Sequence, residues 1–102
     1  MVSYFTATEK PLIVITGITG YIGSQIVNYC IEHLGKDYRL RGTVRNPDDE
    51  EKMAPLYDYF GGEDVLKEKI EICHVDLLDE TTISAALENA SYVIHTASPV
   101  GI

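Results

Sequence analysis

Apolar and polar positions follow two alternating periods along this chain. Leu12-Ile-Val-Ile15 is a continuous apolar run bounded by Lys10-Pro11 and Gly17, as expected of a parallel strand covered on both faces. Ile22, Ile26, Cys30 and Leu34 then recur every four residues, which predicts a helix from about Tyr21 to Leu34 with that stripe packed inward and Gly35 at its C-terminus. Tyr38 to Val44 reads as a second strand, with Leu40 and Gly42 on one face and Arg39 and Arg41 pointing outward into solvent. In Asn46-Pro47-Asp48-Asp49-Glu50-Glu51, Asn46 suits a helix cap, proline suits the first helical position, and the acids complement the dipole. Pro55 is expected to interrupt that helix and Gly61-Gly62 to stop it. Leu56, Tyr57 and Phe60 point inward, and Glu63 to Lys69 adds another helical turn. Ile70 to Val75 predicts a third strand. Asp79-Glu80-Thr81-Thr82 opens a helix with Ile83, Ala86, Leu87 and Ala90 on one face, and Tyr92 to Ala97 predicts a fourth strand.

Strand and helix alternate throughout, so right-handed crossovers leave a parallel sheet ordered 3-2-1-4 with its carboxyl ends at one edge. Gly17, Gly20 and Gly23 lie where the first strand gives way to the first helix. Gly17 permits a tight turn, Gly20 lets the backbone approach a pyrophosphate, and Gly23 lets the helix approach the strand. Amides of the helix's first turn then face an anion. A glycine triplet alone is weak, but a strand before it, a helix after it and a second strand about twenty residues on give it a mechanism. No Lys-Ser/Thr pair follows Gly23, which disfavours a P-loop. The fold class is therefore α/β, the first half of an NAD(P)-binding Rossmann fold: four parallel strands flanked by helices, where a complete domain needs two such halves.

Composition narrows this picture. The chain has 102 residues, with sixteen acidic against eight basic side chains and a formal charge of −8, which excludes a general basic surface for nucleic acid or anionic membrane. Cys30 and Cys73 are far apart with no metal-ligand spacing around them, and read as buried free thiols of a reducing cytoplasm. Residues 1–10 are polar apart from Tyr4-Phe5 and are expected to form a flexible tail without a signal peptide, leaving 11–102 as the half-domain.

Four motifs together, Thr16-Gly-Ile-Thr-Gly-Tyr-Ile-Gly-Ser24, Gly42-Thr-Val-Arg-Asn-Pro47, Val75-Asp-Leu77 and His95-Thr-Ala-Ser-Pro-Val100, resemble the extended short-chain dehydrogenase/reductases. The likeness is greatest to the dihydroflavonol reductase and cinnamoyl-CoA reductase group, and it covers the chain from Leu12 onward. It implies a reductase that uses NADP(H) in preference to NAD(H) and transfers hydride to a carbonyl. It also implies roles: Gly17, Thr19, Gly20, Tyr21, Ile22 and Gly23 on the pyrophosphate, Arg45 and Lys52 on the ribose 2′-phosphate, Asp76 and Leu77 on adenine, and Thr96, Ala97 and Ser98 along the nicotinamide-side ribose. The residues agree independently at Arg45, because a partner for a 2′-hydroxyl would be an acid at the end of the second strand and this chain has Arg45-Asn46 there.

The departure from the family lies in what is absent. None of the seven tyrosines has lysine four positions later, so the Tyr-x-x-x-Lys pair that would donate a proton is missing and no catalytic residue is assigned. His33 reads as a helix-end surface residue, His74 as a strand residue, and His95 as close to the site without a transferable role. Two functions fit: the coenzyme-binding piece of a longer NADP-dependent reductase, or a non-catalytic nucleotide-binding module. The isolated half-domain is expected to leave apolar sheet surface and the fourth strand's edge open to self-association.

Overall fold

In the computed structural model residues 10–95 are described, so the expected tail, apart from Lys10, lies outside the described residues, as do Thr96, Ala97 and Ser98. The elements run β1 (Leu12–Thr16), α1 (Tyr21–Leu34), β2 (Arg39–Val44), α2 (Glu50–Tyr59), α3 (Glu63–Lys69), β3 (Glu71–His74), α4 (Glu80–Leu87) and β4 (Ala90–His95). All three strand pairings are parallel and the order is β3-β2-β1-β4, as the alternating pattern predicts. Leu12 to Ile15 are all buried, so the apolar run of β1 is covered on both sides. On one side Ile13, Ile15, Leu40 and Val44 pack with Val27 and Cys30 of α1, Met53 and Leu56 of α2 and Leu66 of α3. Among the described residues, α4 is the only helix on the other side.

Several local expectations are corrected. The buried line of α1 is Gly23, Val27 and Cys30, while Ile22 is 64% exposed. Closest approach to β1 occurs at Gly23, and each helical residue turns about 100°, so presenting Gly23 inward carries Ile22 out of the core. Gly35 ends α1 with φ −64°, not in the left-handed region. Its hydrogen is needed for space, since a Cβ there would lie 2.8 Å from the Ile31 carbonyl oxygen. Asn46 does not cap α2. Its side chain accepts from the Asp48 amide at 3.0 Å in a local turn, and Asp49 caps the helix by accepting from the Lys52 amide at 3.3 Å. Pro55 sits inside an unbroken α2. An interior proline costs about 3 kcal/mol, and burial of Met53 and Leu56 at about 1.5–3 kcal/mol each offsets it.

Ala90 belongs to β4, not to the apolar face of α4. The helix stops at Leu87, and Asn89 at φ 64° turns the chain into the strand. Arg41 is not solvated. Its side chain is 11% exposed, and its guanidinium donates to Glu71 Oε1 at 2.9 Å and to the carbonyls of Ala86 and Glu88 at 2.8 and 3.0 Å. Arg39 also turns back onto the fold, its Nε donating to the Lys10 carbonyl at 3.2 Å.

Both cysteines are free, but only Cys30 is fully buried, whereas Cys73 is half-buried. Burial pushes the Cys30 thiol up, which lowers its thiolate fraction at neutral pH. A thiol reagent under native conditions should therefore label Cys73 first, with Cys30 reacting only on addition of denaturant. Equal labelling rates of the two native thiols would contradict this packing.

Candidate functional site

The carboxyl ends of the four strands meet at one edge, and the turn from β1 to α1 is its centre. Gly17 adopts φ 68°, a region that L side chains rarely enter. Its amide donates to Thr43 Oγ1 at 3.2 Å, and the next amide, Ile18, donates to the Thr43 carbonyl at 3.1 Å. One residue of β2 thus holds two consecutive donors of the turn. Ile18 is fully buried beneath it, pressed against Gly42, where a Cβ would come 2.6 Å from the Ile18 side chain.

The glycines divide by cause. A Cβ on Gly23 would lie 2.1 Å from the Gly17 carbonyl oxygen, so the fold itself demands glycine there. Gly20 has φ −75°, and a Cβ on it would meet its nearest neighbour at an ordinary 3.6 Å. Among the described residues nothing requires glycine at that position. A ligand drawn against the backbone would require it.

Among the described residues no side chain caps α1, and no acid lies in its first turn, so the amides there carry the positive end of a 14-residue helix. Tyr21 and Ile22 are exposed beside them. Thr19, Arg45 and Lys52 line one cavity of about 350 Å³ together with Asn46 and Asp49. The acids around Lys52 in sequence suggest that it pairs with one of them. Among the described residues its ammonium forms no ion pair, and neither does Arg45. Arg45 and Lys52 thus border the same space, together with Thr19 of the glycine turn.

Arg45 also borders a second cavity of about 620 Å³, which is apolar and is walled by Val75, Leu77, Leu78, Ile83, Leu87 and Val93. Asp76 holds the loop that carries two of these leucines. Its carboxylate accepts from the Leu78 amide at 2.9 Å, and its own amide donates to Thr82 Oγ1 at 2.9 Å. Asp79 caps α4, and bonds from the Thr81 hydroxyl and amide hold its carboxyl below the ordinary carboxylate range. His95 places Nδ1 2.9 Å from Thr16 Oγ1 across β1 and β4, while His33 is exposed near the end of α1 and His74 is exposed at the carboxyl end of β3.

The structure thus brings Gly17, Thr19, Gly20, Tyr21, Ile22, Gly23, Arg45 and Lys52 to one end of the sheet, with Asp76 and Leu77 beside the apolar cavity. Thr43, Ile18 and Leu78 went unnoticed in the sequence. A threonine in a strand gives no local sign that its hydroxyl serves a turn elsewhere.

Residues 13–102 match the NAD dependent epimerase/dehydratase family. The chain is 43% identical over 86 residues to cinnamoyl-CoA reductase 1 of Arabidopsis thaliana, covering 84% of this chain and 23% of that protein. It is 33% identical to dihydroflavonol 4-reductase of Zea mays, over 92% of this chain and 24% of the relative. It therefore spans about a quarter of the length of the curated relatives it matches. Among solved structures, Pen from Bacillus thuringiensis superposes with a TM-score of 0.69 at 24% identity, covering 90% of this chain and 26% of that one, a likeness of fold.

Two alanine substitutions separate the glycines. Gly23→Ala should lower stability by about 3 kcal/mol, because the contacted atom is backbone and cannot move aside. Gly20→Ala should leave the unfolding midpoint unchanged or slightly raised, since the unfolded chain loses freedom. Thermal melts with similar losses for both would refute the division.

Proposed function

The chain belongs to the NAD dependent epimerase/dehydratase family, and on that premise we propose that it binds NADP(H) in preference to NAD(H), as the coenzyme-binding part of a carbonyl reductase. The observation that carries the preference is the cavity shared by Thr19, Arg45 and Lys52, two unpaired cations beside an uncapped helix N-terminus. Two cations converging on one space suit a phosphate dianion better than a hydroxyl. In this reading Gly17 to Gly23 hold the pyrophosphate on the open amides of α1, with Gly20 giving it room. Arg45 and Lys52 bind the 2′-phosphate, and the adenine enters the apolar cavity over Leu77, with Asp76 fixing the loop beneath. Thr96, Ala97 and Ser98 keep the ribose role that the family resemblance implies.

When bound, the coenzyme supplies hydride for a ketone, aldehyde or thioester. The chain's own residues bind and orient it. No tyrosine here has the lysine partner that would make it a proton donor, and Thr16 and His95 are the only hydroxyl–imidazole pair among the described residues. We therefore assign no catalytic residue to these 102 residues and place the protein in the cytoplasm. Among the described residues, no helix is long and apolar enough to cross a membrane.

Calorimetric titration should show NADPH binding more tightly than NADH by on the order of 1.5–3 kcal/mol, the range for a charged hydrogen bond. Arg45→Asp should shrink or reverse that difference. Equal affinities in the unmodified chain would sink the preference. Gly20→Ala should weaken both coenzymes while the fold stays intact. Incubated with NADPH and a panel of cinnamoyl thioester, flavanonol and simple aldehyde substrates, the 102-residue chain should consume no reduced coenzyme beyond the blank. Turnover abolished by Gly20→Asp would overturn that expectation.

Self-association follows from the same framework. Val93 is 49% exposed on β4, and Leu87 is 38% exposed on α4, the only helix among the described residues on that side of the sheet. Sedimentation should show a size that grows with concentration, and a monomer at all concentrations would refute it.

A further inference from the structure

We propose that Arg41 is a positioning residue for coenzyme binding, fixing α4 against the sheet so that Ile83 and Leu87 stay in place as a wall of the apolar cavity. The inference rests on the reading of that cavity as the adenosine pocket. The helix α4 has eight residues, too few to be stable in water without tertiary anchors. Its N-terminus is tied to its own loop, through Asp79 to Thr81 and through Thr82 to Asp76. At its C-terminus the Glu88 amide donates to the Ala85 carbonyl at 3.3 Å, and the remaining last carbonyls of a helix need outside donors.

Arg41 supplies them. One guanidinium nitrogen donates to both the Ala86 and Glu88 carbonyls, at 2.8 and 3.0 Å, while Nε reaches Glu71 at 2.9 Å on β3. A positive charge at a helix C-terminus also meets the favourable end of the dipole. The two anchored carbonyls flank Leu87, and Ile83 lies one turn before it, so the residues that line the cavity sit on the segment that Arg41 pins. Arg41 lines neither that cavity nor the one shared by Arg45 and Lys52. Its effect on a ligand is therefore exerted through α4. Lysine would keep the charge but has no fork to hold Glu71 and the helix end together.

The test compares the unmodified 102-residue chain with Arg41→Met, Arg41→Lys and Glu71→Gln, titrating NADPH and NADH and following amide exchange over residues 83–88. Arg41→Met should weaken both coenzymes by the same factor, about tenfold, leave the NADPH-to-NADH ratio unchanged, and speed exchange in α4. The two milder variants should fall between, with affinity tracking exchange protection, and they carry the comparison if Arg41→Met does not fold. Faster α4 exchange with undiminished affinity would overturn the inference, and so would a changed ratio, since Arg41 would then be reading the 2′-phosphate. An unmodified chain that binds neither coenzyme would end the coenzyme reading itself, and this inference with it.

Discussion

The space at Gly23 is the constraint on which the rest of the site depends. The first helix lies so close to the end of the first strand that a single methyl group would overlap the Gly17 carbonyl oxygen at 2.1 Å. This closeness sets the rotation of α1, buries Val27 and Cys30, exposes Ile22, and aims the uncapped helix end at the carboxyl edge of the sheet. An anion site at a helix N-terminus needs its amides both free and correctly placed. The Gly23 contact places them, and the lack of a capping side chain leaves them free.

The second strand connects this turn to everything beside it. Its inward residues Leu40, Gly42 and Val44 build the main core, and Gly42 leaves just enough room for Ile18 to plug the space below the turn. Its opposite face is polar yet largely covered. Thr43 takes both donors of the glycine turn, and Arg41 takes the end of α4. Both polar residues sit on one short strand that ends at Val44, next to Arg45, so the glycine turn and the end of α4 are held from one support. A buried charge is tolerable only when its donors are satisfied, and Arg41 has three acceptors within 3.0 Å.

The site was legible where its chemistry is local. Three glycines between an apolar run and a helical period imply a turn, an open helix end and a close approach, and all three are present. Arg45 and Lys52, paired from the sequence, line one cavity with Thr19, since the end of β2 and the first turn of α2 lie on either side of a short connection. What escaped involves partners distant along the chain. Gly17 and Thr43 are 26 residues apart, and Arg41 and Ala86 are 45 apart, so alternation along β2 could report only that Arg39 and Arg41 point away from Leu40. It could not report that a helix would arrive to receive one of them. The local rules for Asn46 and Pro55 failed for a related reason: tertiary burial of Met53 and Leu56 outweighs the cost of a proline, and the Asn46 side chain satisfies a nearer amide first.

The order of elements, the parallel 3-2-1-4 sheet and the glycine turn at its carboxyl edge were determined by the sequence alone, because periodicity and backbone freedom are properties of neighbouring residues. The inward line of α1, the two cavities and the burial of Arg41 were decided only by the tertiary structure. Each depends on which groups meet across the sheet, where one close contact or one distant carbonyl outweighs the preference of the residue itself.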